Sequence, residues 1–138
     1  MTDAPYVLRP IGRVESPLTD RRAAPRQGDE DAPQAWIVFD PAVTDGLRDL
    51  RAGTEVIILT WLDRADRDVL VVRPRRDPAR RPTGVFSTRS PDRPNPIGLH
   101  RVTIEAIEGT RIRVRHLEAL HGTPVVDVKP VRDPGTER

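Results

Sequence analysis

The chain contains no cysteine in its 138 residues, which excludes disulfides, thiolate nucleophiles and Cys-based zinc sites. Lysine is almost missing: Lys129 is the only one among 23 Lys and Arg. Positive charge is therefore carried by planar guanidinium forks, which suit phosphate and carboxylate. Aromatic residues are scarce at 4% and hydrophobic residues reach 36%, so the core must be built from Val, Ile and Leu. No apolar run approaches a membrane span, and no apolar stretch follows a basic start. The expectation is a soluble, cytoplasmic protein without membrane contact. His100, His116 and His121 lack zincin spacing and no carboxylate motif accompanies them, so no metal is expected. Gly-x-Ser-x-Gly, P-loop and dinucleotide fingerprints are also missing.

The length suits one domain, residues 1–138, with a single modest core between about residues 6 and 130. Tyr6 to Glu15 alternates as a first strand, and Gly12 suggests a bulge or a close backbone approach. Ser16 to Gln34 is polar, rich in proline and charge, and reads as a long loop. Trp36 to Phe39 is a short strand. Asp40-Pro41 then offers an N-cap with proline at the first helical position. A short helix to about Leu50 follows, with Val43, Leu47 and Leu50 on one face. Glu55 to Leu62 is a continuous apolar run and predicts a central buried strand. Strands are also predicted over Asp68–Val72, Thr83–Thr88, Ile97–Ile107 (bent near Arg101), Ile112 to His116, and Val125–Val128. Glu108-Gly109-Thr110-Arg111 reads as a hairpin connection. Many short strands and one short helix predict a mostly β protein, a small closed or partly open barrel.

The most informative stretch is Gly84-Val85-Phe86-Ser87-Thr88-Arg89-Ser90-Pro91-Asp92-Arg93-Pro94-Asn95-Pro96-Ile97-Gly98. Each proline fixes its own φ and pushes the preceding residue out of helical space. The result is a rigid loop that carries Arg89, Arg93, Asp92, Asn95 and three hydroxyls. A rigid polar loop between strands is how a site is preorganised; the alternative is a crossover that only turns a barrel corner.

Four other segments carry candidate chemistry. Pro25-Arg26-Gln27 lies inside the long polar loop and is either part of a site or solvated chain. Asp63-Arg64 stands where the apolar strand ends, as the floor of a pocket or as strand-end solvation. In Leu120-His121-Gly122-Thr123-Pro124, glycine allows a close approach and proline holds the turn, so backbone groups could read a planar heterocycle. It is otherwise a tight turn before the last strand, where Asp127 and Lys129 share a face. Arg73, Arg75, Arg76, Arg80 and Arg81 form a basic loop that would neutralise phosphates, although charge runs are usually solvated faces.

GVFSTRSPDRPNPIG, with GTPVVDVKP, PIGRVESP and APRQ in this order and spacing, resembles the TsaA/TrmO-like family of S-adenosylmethionine-dependent methyltransferases. The resemblance runs from Pro10 to Pro130 and implies a small β-barrel methyltransferase, usually a homodimer. The family activity it implies is N6-methylation of threonylcarbamoyladenosine at position 37 of tRNA. Carried over by position, cofactor contacts fall on Pro25, Arg26, Gln27, Asp63, Arg64, Arg89, Leu99, His121, Gly122, Thr123 and Pro124. The methionyl carboxylate needs donors such as Arg26 or Arg89, and the adenine an apolar surface such as Leu99 or Pro124. The expected RNA contacts are Arg75, Arg76, Arg80, Arg81, Arg93, Asn95 and Lys129, with the arginine loop on the anticodon stem. Asp127 or a loop hydroxyl is the candidate base, and Lys129 is expected to orient Asp127 or a phosphate.

The chain departs from the family pattern at several positions. Asp63 stands where the family usually has histidine, and His121 where it has aspartate. Thr54-Glu55 replaces a Ser-His pair, and Val131 replaces a tyrosine. The chain also stops soon after Pro130, whereas longer members carry a C-terminal extension that could help hold tRNA. These departures keep two other readings open. One is a methyltransferase acting on a small metabolite or another RNA. The other is a non-catalytic S-adenosylmethionine- or RNA-binding module, which turnover would exclude.

Overall fold

A computed structural model describes residues 4–19, 34–73 and 78–132 of the chain. Six strands form one closed antiparallel barrel: β1 (Gly12–Glu15), β2 (Ala35–Phe39), β3 (Glu55–Trp61), β6 (Ile97–Glu108), β7 (Arg111–Arg115) and β8 (Pro124–Pro130). Their order around the barrel is β1-β2-β7-β6-β3-β8. A separate two-stranded ribbon joins β4 (Val71–Val72) to β5 (Thr83–Gly84).

Alternation on each strand sends one face inward. Val14, Ile37, Val56, Ile58, Val102, Ile104, Ile112, Val114 and Val125 fill the interior with Phe39, and Leu117 and Ala119 join them. Each large apolar side chain buried in this way contributes about 1.5–3 kcal/mol. β3 lies between β6 and β8 as a central strand, but its burial alternates: Val56, Ile58 and Thr60 are buried while Ile57, Leu59 and Trp61 are half-buried on the outside.

Several expectations are corrected. The first strand starts at Gly12, not Tyr6, and Tyr6, Val7 and Leu8 are exposed. Pro10 can donate no ladder hydrogen bond; regular pairing to β2 and β8 begins at Gly12. Gly12 is a close approach rather than a bulge, since a Cβ there would lie 2.6 Å from the Val38 carbonyl oxygen. The expected helix is a 3₁₀ segment, Pro41–Leu47, capped by Asp40 through its carboxylate to the Ala42 N–H at 2.9 Å. Thr44, Asp45 and Gly46 give it little α propensity, yet Val43, Leu47 and Leu50 do pack against the core.

Strand Asp68–Val72 shrinks to β4, because the Asp68 N–H is turned onto the Asp66 carboxylate at 2.9 Å. Strand Thr83–Thr88 ends at Gly84 and becomes a 3₁₀ turn over Val85–Ser87. The irregularity in β6 falls at Ile104/Ala106 rather than at Arg101. β7 stops before His116, which has a φ of 69°.

The barrel strands alternate in direction, and this arrangement positions the site. Register pairs Glu15 with Trp36, Trp61 with Ile97, and Thr60 with Val125. The β1–β2, β3–β6 and β7–β8 connections therefore emerge at one rim. The β2–β3 connection and the Gly109–Thr110 turn lie at the other end.

Candidate functional site at the barrel rim

The described residues of the segments singled out in the sequence belong to one of the three connections at that rim or to a strand leading into it. Pro25, Arg26, Gln27, Arg75 and Arg76 lie outside the described residues. Backbone hydrogen bonds join the β1–β2 and β7–β8 connections to each other, and the Arg64 side chain joins the β3–β6 connection to both.

The β7–β8 connection folds over the end of the barrel. Gly122, with φ at +84°, turns the chain so that its N–H donates to the Val14 carbonyl at 2.7 Å. An L side chain rarely adopts that φ, which is why glycine stands there. His121 donates its backbone N–H to Leu18 at 2.7 Å, and its Nδ1 accepts the Ser16 N–H at 3.2 Å. Arg13 donates to the Gly122 carbonyl at 3.2 Å. Thr123 and Pro124 are buried where β8 begins.

Arg64 joins all three connections. Its Nη1 donates to the Thr19 carbonyl at 3.1 Å and its Nη2 to the His121 carbonyl at 3.4 Å. Asp63 beside it is exposed. Among the described residues no ion pair or hydrogen bond joins Asp63 to His121 directly, so the exchanged acid and histidine meet only through Arg64.

The proline loop is braced from within. Arg93 donates to the carbonyls of Thr88 (3.0 Å), Ser90 (2.9 Å) and Val85 (2.9 Å). Asp92 accepts the Asp66 N–H at 2.9 Å, and the Arg93 N–H donates to the Asp66 carbonyl at 3.0 Å. Arg67 donates to the Pro94 carbonyl at 2.7 Å and to Asn95 Oδ1 at 3.0 Å, with its guanidinium 5.1 Å from the Trp61 ring centroid. Arg89, in contrast, is exposed on the surface of this fixed loop. Arg93 and Asn95, expected on the RNA side, spend donors and acceptor on the loop itself. Arg73 likewise closes the basic loop by donating to the Pro78 and Arg80 carbonyls, while Arg80 and Arg81 are exposed.

Leu99 lies on the outer face of β6, 47% exposed and paired with Leu59. Asp127 is paired in register with Leu59 on the other side of β3. Its carboxylate accepts the Val128 N–H at 2.9 Å and meets Lys129 Nζ at 3.2 Å. The shared face expected for Asp127 and Lys129 is thus occupied by an ion pair between them.

The interior below the rim holds a polar group that sequence reasoning missed. His100 and Thr60 are buried, with His100 Nε2 2.7 Å from Thr60 Oγ1 and Nδ1 2.6 Å from Glu118 Oε1. A histidine in the inward-facing series of β6, whose neighbours there are Gly98, Val102 and Ile104, is the one signal that could have found it. Glu55, at the departure from the Ser-His pattern, is held by Arg101 through two hydrogen bonds of 3.0 Å. These bonds lower its carboxyl below the ordinary value.

Fold and rim together define a class: a small antiparallel barrel whose polar connections are gathered at one end. The sequence profile described as the tRNA-methyltransferase O N-terminal domain matches residues 13–133, and the chain belongs to this family. An S-adenosyl-L-methionine-binding protein of Archaeoglobus fulgidus is 47% identical over 124 residues, covering 89% of this chain and 87% of that protein. A probable S-adenosyl-L-methionine-binding protein of the same organism is 46% identical over 123 residues, but there the match covers 33% of the relative. The crystal structure of TrmO from Pseudomonas aeruginosa superposes with a TM-score of 0.75 at 27% identity, covering 98% of this chain and 60% of that one. The chain thus spans a third of one curated relative and three fifths of the solved structure.

Proposed function

We propose that this chain is an S-adenosylmethionine-dependent methyltransferase whose acceptor is N6 of threonylcarbamoyladenosine in tRNA, next to the anticodon. The observation that carries the reading is the convergence at one rim of Arg64, His121–Pro124 and the braced loop bearing Arg89. The donor set fits the cofactor at its carboxylate, which exposed guanidinium groups suit; the N–H groups of His121, Gly122 and Thr123 already donate to Leu18, Val14 and Leu120, so that turn offers a heterocycle its carbonyl oxygens alone.

When bound, the cofactor supplies an electrophilic methyl group on a sulfonium. The protein's task is alignment of acceptor, methyl carbon and leaving sulfur, and a fixed site is what such alignment requires. Arg93 and Arg67 keep the proline loop in one shape, so Arg89 offers its donors from a rigid base. Arg64 holds the β1–β2 and β7–β8 connections at a constant separation. The acceptor N–H is flanked by a carbonyl and needs little base assistance. If Asp127 takes that proton, Asp127→Asn lowers kcat and leaves KM for the cofactor unchanged. The reading includes a homodimer, and a cytoplasmic enzyme follows from the tRNA acceptor.

Calorimetric titration with S-adenosylmethionine tests the cofactor half. The wild type is expected to bind in the micromolar range, about −8 kcal/mol, and Arg89→Ala to lose that binding. Absence of wild-type binding would sink the reading. The acceptor half is tested by mass spectrometry of tRNA nucleosides from cells lacking the protein, where loss of the N6-methyl form is expected. An unchanged nucleoside pool would leave the small-metabolite acceptor in its place.

A further inference from the structure

The chain has two phenylalanines, and they are treated in opposite ways. Phe39 is buried in the core, whereas Phe86 is 81% exposed. Its exposure is imposed by its neighbours. The Val85 side chain is buried, and the Val85 N–H donates to the Leu70 carbonyl at 3.0 Å. The Val85 carbonyl accepts from the Thr88 N–H, the Thr88 hydroxyl and Arg93, at 3.0, 2.9 and 2.9 Å. Turning the Phe86 ring inward would require breaking this set. Leu70 and Val71, on the strand edge beside it, are also more than half exposed.

An exposed ring on a braced backbone calls for an occupant. Arg80 and Arg81 belong to the same connection and are both exposed. An apolar protein partner would have to desolvate these guanidinium groups, whereas a polyanion is complementary to them. A flat apolar ring and cationic side chains carried by one connection are the combination that takes single-stranded nucleic acid, by stacking on bases and meeting phosphates. We propose that Phe86 stacks on a nucleobase of the RNA acceptor, with Leu70 and Val71 as its apolar border and Arg80 and Arg81 on the flanking phosphates. The proposal rests on the reading of the rim as an RNA-methylating site and adds the element that grips the unpaired strand.

The test uses the whole chain and a tRNA anticodon stem-loop carrying 2-aminopurine beside the target adenosine. Wild type is expected to bind and to quench its fluorescence. Phe86→Ala is expected to bind about tenfold or more weakly without quenching, and Phe86→Tyr to restore both. Affinity for S-adenosylmethionine is expected to be the same in all three. RNA affinity and quenching unchanged in Phe86→Ala would overturn the proposal. So would a loss confined to cofactor affinity, which would make Phe86 part of the cofactor pocket. A dimer that becomes a monomer on Phe86→Ala in sedimentation, with RNA binding by that monomer intact, would assign the ring to a second copy and likewise overturn it. If the wild type binds and quenches but transfers no methyl group to RNA, the activity reading fails while the stacking surface stands.

Discussion

His100 is 4% exposed, in an interior built mainly from aliphatic side chains. Its two ring nitrogens are both engaged, one by Thr60 and one by Glu118. Burying the Thr60 hydroxyl and half-burying the Glu118 carboxylate is tolerable only while such partners remain. His100→Leu fills most of the space but strips both partners, and is expected to cost about 2–4 kcal/mol in urea unfolding. Gly98 belongs to the same arrangement, since a Cβ there would collide with Thr60 Oγ1 and lie 2.6 Å from His100 Nε2. Gly98→Ala is therefore expected to destabilise by about 1–3 kcal/mol as overpacking, and Thr60→Ala in the same chain to recover part of that loss. Additive effects of the two changes would show that the collision is relieved elsewhere.

Glu55 illustrates a residue-scale effect with a pH signature. Arg101 lowers its carboxyl below the ordinary value of 4.5, so the folded state holds the charged form more firmly than the unfolded chain does. The resulting stability is present above that ordinary value and is lost as pH falls through the lowered one. Arg101→Ala removes the cause. The gap in stability between wild type and variant should be present at neutral pH, close on acidification below about 4.5, and shrink with added salt because the pair is at the surface. A gap constant across pH would place the effect of Arg101 in its packing instead.

At the scale of elements, the proline loop separates what a sequence shows from what it hides. Three X-Pro steps announce a rigid loop, and the structure agrees. The braces were not legible: Arg93 read as an RNA contact, yet three of its donors turn inward to Thr88, Ser90 and Val85. Which carbonyl a guanidinium meets depends on the folded path of the chain, and local pattern carries no trace of it. Alternation sufficed for β2, β6 and β7. It failed at Tyr6–Leu8, which alternate in sequence yet are exposed and outside any strand, and at Val85–Ser87, where side-chain hydrogen bonds outcompete the ladder. Arg93→Lys should leave the barrel's melting temperature within about 2 °C, because the loop is outside the core. It should nevertheless weaken S-adenosylmethionine binding about tenfold, since one ammonium cannot reproduce a fork that spans three carbonyls. Equal binding by the two proteins would mean that proline alone holds the loop.

At the scale of the molecule, antiparallel alternation divides the labour between the two ends. Six strands running alternately up and down put the polar connections at one rim and leave the 3₁₀ segment and the Gly109–Thr110 turn at the other. The β1–β8 seam is only two pairs long, Gly12 with Val125 and Arg13 with Pro124. It is extended upward by Val14 N–H to Thr123 and Gly122 N–H to Val14, so the rim segment that carries candidate site residues also closes the barrel. Site and closure cannot be separated there, whereas the far end has no such double duty. Four Gly/Ser residues inserted between Gly109 and Thr110 should cost less than about 1 kcal/mol of loop entropy and leave cofactor affinity intact. The same insertion after Gly122 should abolish binding and also lower stability, because it opens the seam. If the rim insertion spared stability and removed binding alone, closure of the barrel would rest on the strand pairs and not on the rim.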